Sequence, residues 1–417
     1  MDWTDLQNAL FDSARDALDT LLEQGIPAPY AVAFHASYRE EERVIDLPSL
    51  AVSSAATLED DHGPDQPREI SGVRWNPADW RWDWELDDYA NPALQAWDLR
   101  LQNEANRAGP QHWQAIETQF VDTVVQAARA LREHFKDDPR VDPHFVALFH
   151  DFNDEVGLAR ASLTAELFAW HFPEEVAKDR LREEIAALPH AEQVSFYLDR
   201  LQRVHSISSE EAQAWLIAQG ARASSALVER LHTVKDAYAI ARILGLAGHA
   251  DGAVIEALRQ RLGNAEEQPT RHWCARALAC LGDVEWLLGQ ADDVAVEGLC
   301  APLSALSDRR AQPAPLDYSA LIILLEQRPG ITADVEEALK PGRSFITLND
   351  QDLPQALLGL TSPHRVIRRH AACVLDNRWL SESAQAEAIQ GLLRALQDED
   401  VQVRELAQLS LEGLRHR

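Results

Sequence analysis

The chain has 417 residues, 46% hydrophobic and 26% charged, a composition that excludes disorder as its main state and suffices for about two or three domains with apolar cores. Its 68 acidic against 39 basic side chains give a formal charge of -29, which argues against a nucleic-acid binder, because phosphate contacts need a basic footprint. The same balance suits a basic protein partner, and solubility alone accounts for it equally well.

No run approaches the roughly 18 consecutive apolar residues of a membrane span, and the opening "MDWTDLQNALFDSARDAL" lacks the basic-then-apolar order of a signal peptide. The expectation is a cytoplasmic protein with no membrane partner. Cys274, Cys280, Cys300 and Cys373 fall inside helical patterns with no CxxC pair, as expected of core packing in a reducing compartment.

In chain order, Leu6, Leu10, Ala14, Ala17, Leu18 and Leu21 recur at three- and four-residue steps and predict a first helix, with Thr4 and Gln7 as its capping box and Gly25 as its stop. The period then changes to two. "PYAVAFHASYR" and "RVIDLPSLAVS" read as neighbouring strands of a hairpin. "TLEDDHGPDQPREISG" is too rich in Gly, Pro and Asp for regular structure and is expected to be a loop. Helical spacing returns in "PALQAWDLRLQNEANRAG" and "HWQAIETQFVDTVVQAARALREHF", followed by a strand in "PHFVALFHDF" and a helix in "SLTAELFAWHF". Helices and strands in this order make residues 1–172 an α+β recognition domain with an edge at Pro173.

Beyond Pro173 the pattern is helical. Residues 173–224 read as a helical connector, and 225–417 contain a repeat. "LTSPHRVIRRHAACVL" and "LQDEDVQVRELAQLSL" align at an offset of about 36 residues, so that Leu360 matches Leu396, Ile367 matches Val403, Arg368 matches Arg404 and Ala371 matches Ala407. A weaker copy starts at Leu262 and needs one inserted residue to bring Arg271 and Cys274 into register. "VIEALRQRL", "VEGLCAPLSAL", "LPQALLGL" and "AIQGLLRAL" read as the outer helices of such pairs, which must stack because one pair cannot bury its apolar face alone.

The pattern of Leu, polar turn, Val-Arg, then Ala resembles HEAT repeats across residues 225–417, "LQDEDVQVRELAQLSL" being its most specific stretch. "SDRRAQPAPLDYSALIILLEQ" lacks the Arg-x-x-Ala core, and "PGRSFITLNDQD" reads as an irregular insertion. The resemblance implies an all-α HEAT-like solenoid. The early helix, "YAVAFHASY", "RWNPADW" and "FVALFHDFND" of residues 1–172 resemble an uncharacterised bacterial domain family associated with polymorphic toxin immunity proteins. That resemblance implies an immunity or antitoxin role, the binding and neutralising of a cognate toxin by stoichiometric occlusion; the alternative is a HEAT-repeat scaffold or adaptor with no toxin involved.

Candidate binding residues concentrate in "VRWNPADWRWDWELDD". Trp80, Trp82 and Trp84 lie at i, i+2, i+4, the spacing that sends side chains to one face of a strand, with Arg81, Asp83 and Glu85 on the other. Two readings stay open. The indoles pack into the core beneath a charged face, or one or more is exposed within an acidic ring of Asp79, Asp83, Glu85, Asp87 and Asp88, an anchor with a rim that speeds encounter with a basic toxin domain. Asp83 with Glu85 forms an acid-base pair on paper, and a solvated strand face explains them as well. His144, His150 and His171 stand near Asp151, Asp154 and Glu155, but without the i, i+4 spacing that gathers ligands on one helix. With no Gly-x-Ser-x-Gly elbow, Walker loop or dinucleotide fingerprint, no catalytic residue, metal or cofactor is expected.

Overall fold

The first helix, α1 (Trp3–Glu23), buries Leu6, Leu10, Ala14, Leu18 and Leu21 along the stripe that the sequence predicts. Its cap differs: the side chain of Asp2 accepts the Thr4 N–H at 3.1 Å, so the helix starts ahead of the Thr4–Gln7 box, and Gly25 ends it at φ 75°. In this computed structural model the described residues are 1–35, 45–63, 69–84, 92–108, 110–152, 154–201, 206–235, 237–304, 316–342, 346, 348–376 and 380–415. They form two compact units, Met1–Leu181 and Arg182–Arg417, and the division falls inside a helix.

The first unit is built on a four-stranded mixed sheet of order β3-β2-β1-β4. β1 (Pro29–His35) and β2 (Ser49–Ser54) are the expected antiparallel pair, β3 (Trp82–Trp84) adds antiparallel to β2, and β4 (Val146–His150) adds parallel to β1. Contrary to the loop expected there, residues after β2 form a short helix, α2 (Ala55–His62). The Ser54 hydroxyl accepts the Thr57 N–H and Thr57 reciprocates at the Ser54 N–H, a complete capping box that overrides the acidic composition downstream. α3 (Pro92–Ala105) and α4 (Pro110–Phe135) follow, then α5 (Glu155–Ser162), α6 (Ala165–His171) and α7 (Pro173–Ala186).

Both faces of the sheet are covered. Val32, Phe34, Leu50, Val52 and Phe149 pack with α1, α3 and α4 in one apolar cluster. Ala31, Ala33, Ala51, Val146 and Leu148 face a second cluster made by Trp75, Trp80, Leu167, Phe168 and Phe172. β1 is buried on every residue rather than on alternate ones because both of its faces are covered, and the small alanines are what face the indoles. On β4 the Phe149 N–H donates to the Ser162 hydroxyl at 3.0 Å, so α5 satisfies a donor of the outer strand.

The second unit is helical throughout its described residues. After α7 come α8 (His190–Arg200), α9 (Ser209–Gln219), α10 (Ala221–Thr233), α11 (Tyr238–Ala247), α12 (Gly252–Asn264), α13 (Gln268–Cys280), α14 (Val284–Leu288) and α15 (Asp292–Cys300). They continue with α16 (Ser319–Gln327), α17 (Thr332–Ala338), α18 (Leu353–Gly359), α19 (Arg365–Val374), α20 (Glu382–Ala395) and α21 (Val401–Arg415). The odd-numbered helices from α9 to α21 each pack on the next odd-numbered one, except that α15 also takes α14 and α16 as neighbours; α8, α10 and α12 pack in a parallel series.

Residues paired by the sequence repeat occupy like positions. Ile367 and Val403 are fully buried, as are Ala371 and Ala407. Arg368 donates to the carbonyls of Ser362 and Pro363, and Arg404 donates to those of Asp398 and Glu399, the equivalent turn in each case. Arg368 also forks onto Asp398 at 2.8 and 3.1 Å, tying one turn to the next. Close approach of helices rests on small residues. A Cβ on Gly245 of α11 would stand 2.8 Å from the Ala277 Cα of α13.

Two substitutions test this packing. Gly245→Leu is expected to lower stability by about 1–3 kcal/mol through overpacking, whereas Gly263→Ala on the open side of α12, where nothing lies within 4 Å, raises it by about 0.5–1 kcal/mol. Arg368→Ala removes the buried guanidinium from the Asp398 carboxylate and from the Ser362 and Pro363 carbonyls and is expected to cost about 2–4 kcal/mol. Urea unfolding midpoints at constant slope check all three.

Candidate functional site

The tryptophan segment is split by the sheet it joins. Trp80 precedes β3 and is buried in the cluster on one face, its indole N–H donating to the Arg74 carbonyl at 3.2 Å and its ring edge-on to Tyr30. Trp82 and Trp84 lie on β3 and pack, half-buried, against the α1–α3–α4 cluster on the opposite face. The expected single face of three indoles is therefore not formed, because strand geometry begins only at Trp82. A signal missed in the sequence is Trp75, which is more deeply buried than any of the three and meets Tyr30, His171 and Phe172.

The acidic ring is partly accounted for. Asp79 is exposed and accepts a hydrogen bond from the Asn76 amide at 2.7 Å. Arg81 turns to Asp61, whose carboxyl it holds below the usual range chiefly by that hydrogen bond. Asp83 is engaged with His35. Glu85, Asp87 and Asp88 lie outside the described residues.

What the sheet does assemble is a polar row at the carboxyl ends of β1 and β4. His35 and His150 are register partners in the parallel pair, so their side chains stand side by side on one face. The His35 Nε2–H donates to Asp83 Oδ1 at 2.9 Å, across 48 residues of sequence. His150 and the following Asp151 are fully buried, and both His150 ring nitrogens lack a hydrogen-bond partner among the described residues. The exposed Phe152 meets His150 edge-on. The carboxylate of Asp83 thus orients the His35 ring, while the His150 ring beside it has no such partner among the described residues. His144 and His171, grouped with His150 in the sequence, sit elsewhere: His171 Nε2 meets the His144 carbonyl at 2.7 Å, and His144 stacks on the exposed Trp170 with ring centroids 3.9 Å apart. No group of three His, Cys, Asp or Glu side chains that could hold a metal ion occurs among the described residues, and none of their helices is long and apolar enough to cross a membrane.

No family model matches the chain, and no curated protein does. Among solved structures, the crystal structure of an engineered protein is similar over 54% of this chain and 99% of its own, at 19% identity and a TM-score of 0.21, a likeness too loose to carry an argument.

The polar row makes a pH prediction. Burial, with His35 beside it, pushes the His150 imidazole from 6.5 down to about 4. As pH falls through that window the unfolded chain takes up a proton that the folded one refuses, so stability drops progressively by about 3 kcal/mol and the loss is complete below the folded value. Burial lowers His171 in the same direction and adds to the slope. His150→Leu is expected to flatten the dependence of the unfolding free energy between pH 6.5 and 4, leaving the His171 part; an unchanged slope would show that water reaches the His150 ring.

Proposed function

We propose that this chain is an immunity-type protein, which binds a cognate bacterial toxin and neutralises it by covering the toxin's active surface one to one. The observation that carries the reading is how the helical unit uses its cations. Arg182 holds Glu211, Arg259 holds Asp283, Arg328 holds Asp292, Arg368 holds Asp398 and Arg369 holds Asp400, with closest contacts of 2.6–2.9 Å and each across 24 to 36 residues of sequence. Basic side chains are thus tied between successive elements of the stack, and in a chain of 68 acids and 39 bases the charge left to face a partner is negative. Such a surface speeds association with a basic protein and repels nucleic acid.

The alternate-helix packing of α9 to α21 supports a HEAT-like solenoid over residues 225–417, and the sequence resemblance of residues 1–172 to an immunity-associated family favours a toxin as the partner. A scaffold or adaptor draws on the same stacking and differs in requiring no toxin. Co-expression with the product of the adjacent gene separates the two. The expected outcome is rescue of growth from that product and co-purification at one-to-one stoichiometry; a harmless neighbour that forms no complex would leave the adaptor.

A further inference from the structure

The face shared by α17, α19 and α21 is not closed. A groove of about 660 Å³ runs between them, within the roughly 300–1,000 Å³ range of binding pockets. Its apolar lining includes Leu339, Val366, Cys373, Leu406 and Leu409. Leu339 and Val366 are buried, but Leu409 is 61% exposed, and with Gln402 and Glu405 it shares one face of α21 at three- and four-residue steps. Further up the stack, Gly245 brings the backbones of α11 and α13 into contact.

The charges around the groove are unequal in their commitments. Arg365 and Arg369 both reach Glu336, Arg369 also reaches Asp400, and Lys340 reaches Glu337. Every described cation of the lining is therefore already compensated. Glu405, exposed on the α21 side next to Leu406 and Leu409, has no cation among the described residues. An apolar trough with one uncompensated carboxylate at its edge matches a helix that carries an apolar stripe flanked by a basic residue.

We infer that this groove receives an amphipathic helix of a partner protein, its apolar side chains lying on Leu406 and Leu409 and a lysine or arginine of its own set against Glu405. The inference rests on the protein-binding reading above, but not on the partner being a toxin. A helix in this position crosses α19 over Val366 and Cys373 and shields the Cys373 sulfur from solvent.

That shielding supplies the measurement. Cys274 and Cys300 are buried and their thiols are pushed up to about 12 by desolvation, so they stay unreactive, while Cys280 is exposed on α13 and serves as an internal control. The full-length protein is alkylated with and without an 18-residue helical peptide bearing leucines at i, i+4 and i+7 flanked by lysines, and with a second peptide in which glutamates replace the lysines. The lysine peptide is expected to slow alkylation of Cys373 and not of Cys280, with about fivefold tighter half-protection than the glutamate peptide. Glu405→Lys is expected to remove or invert that preference, and Leu409→Asp, at an exposed position that leaves the fold intact, to weaken protection about tenfold. Equal protection by the two peptides, no protection by either, or protection of Cys280 alongside Cys373 overturns the inference. So does protection that rises with protein concentration alone, which assigns the groove to a second copy of the chain. Failure of growth rescue with the Cys373 response intact rejects only the toxin; growth rescue without any Cys373 response rejects only the groove.

Discussion

A helix of the second unit presents apolar residues on more than one side, and only the neighbouring helices can cover them. That constraint organises Arg182 to Arg417. Ile367, Ala371, Val403 and Ala407 are fully buried because α19 and α21 face each other as well as their own partner helices. Small residues let the backbones meet, as Gly245 does at Ala277, and the turns are then latched by arginines such as Arg368, which serves two carbonyls of its own turn and a carboxylate of the next. A guanidinium suits this task, since its planar fork satisfies several acceptors at once while remaining charged.

The surface chemistry follows from the same constraint. Arginines drawn into turn-to-turn contacts leave acids in excess outside. Between α17, α19 and α21 a groove lined by Leu339, Val366 and Leu406 stays open, with Glu405 at its rim. The packing of the helices and the placement of the groove are thus two consequences of one arrangement of side chains.

The first unit solves burial differently. Its sheet is covered on both faces, by helices on one side and by an aromatic cluster around Trp75 and Trp80 on the other. Alanines in β1 and β2 make space for those rings. The enclosure extends to the strand ends, so that His150 stays neutral well below the pH at which an exposed imidazole takes up its proton, while His35 finds Asp83. A destabilised imidazole beside an oriented one concentrates pH sensitivity at the carboxyl ends of β1 and β4.

Periodicity alone determined α1, the strands β1, β2 and β4 and the helical character of the C-terminal half, because each reports on neighbours within four residues or on one strand's own alternation. The repeat of about 36 residues likewise matched Ile367 with Val403 and Arg368 with Arg404, pairs that prove alike in burial and in their turn contacts. The capping box at Ser54, the separation of Trp80 from Trp82 and Trp84, and the depth of Trp75 were not legible, since each depends on where a strand begins or ends. Only the tertiary structure decided that His35, Asp83 and His150 share one face and that α17, α19 and α21 leave a groove. The physical reason is distance along the chain: alternation says that a residue has an inner face, but which strand or helix meets that face is settled by contacts between segments far apart in sequence.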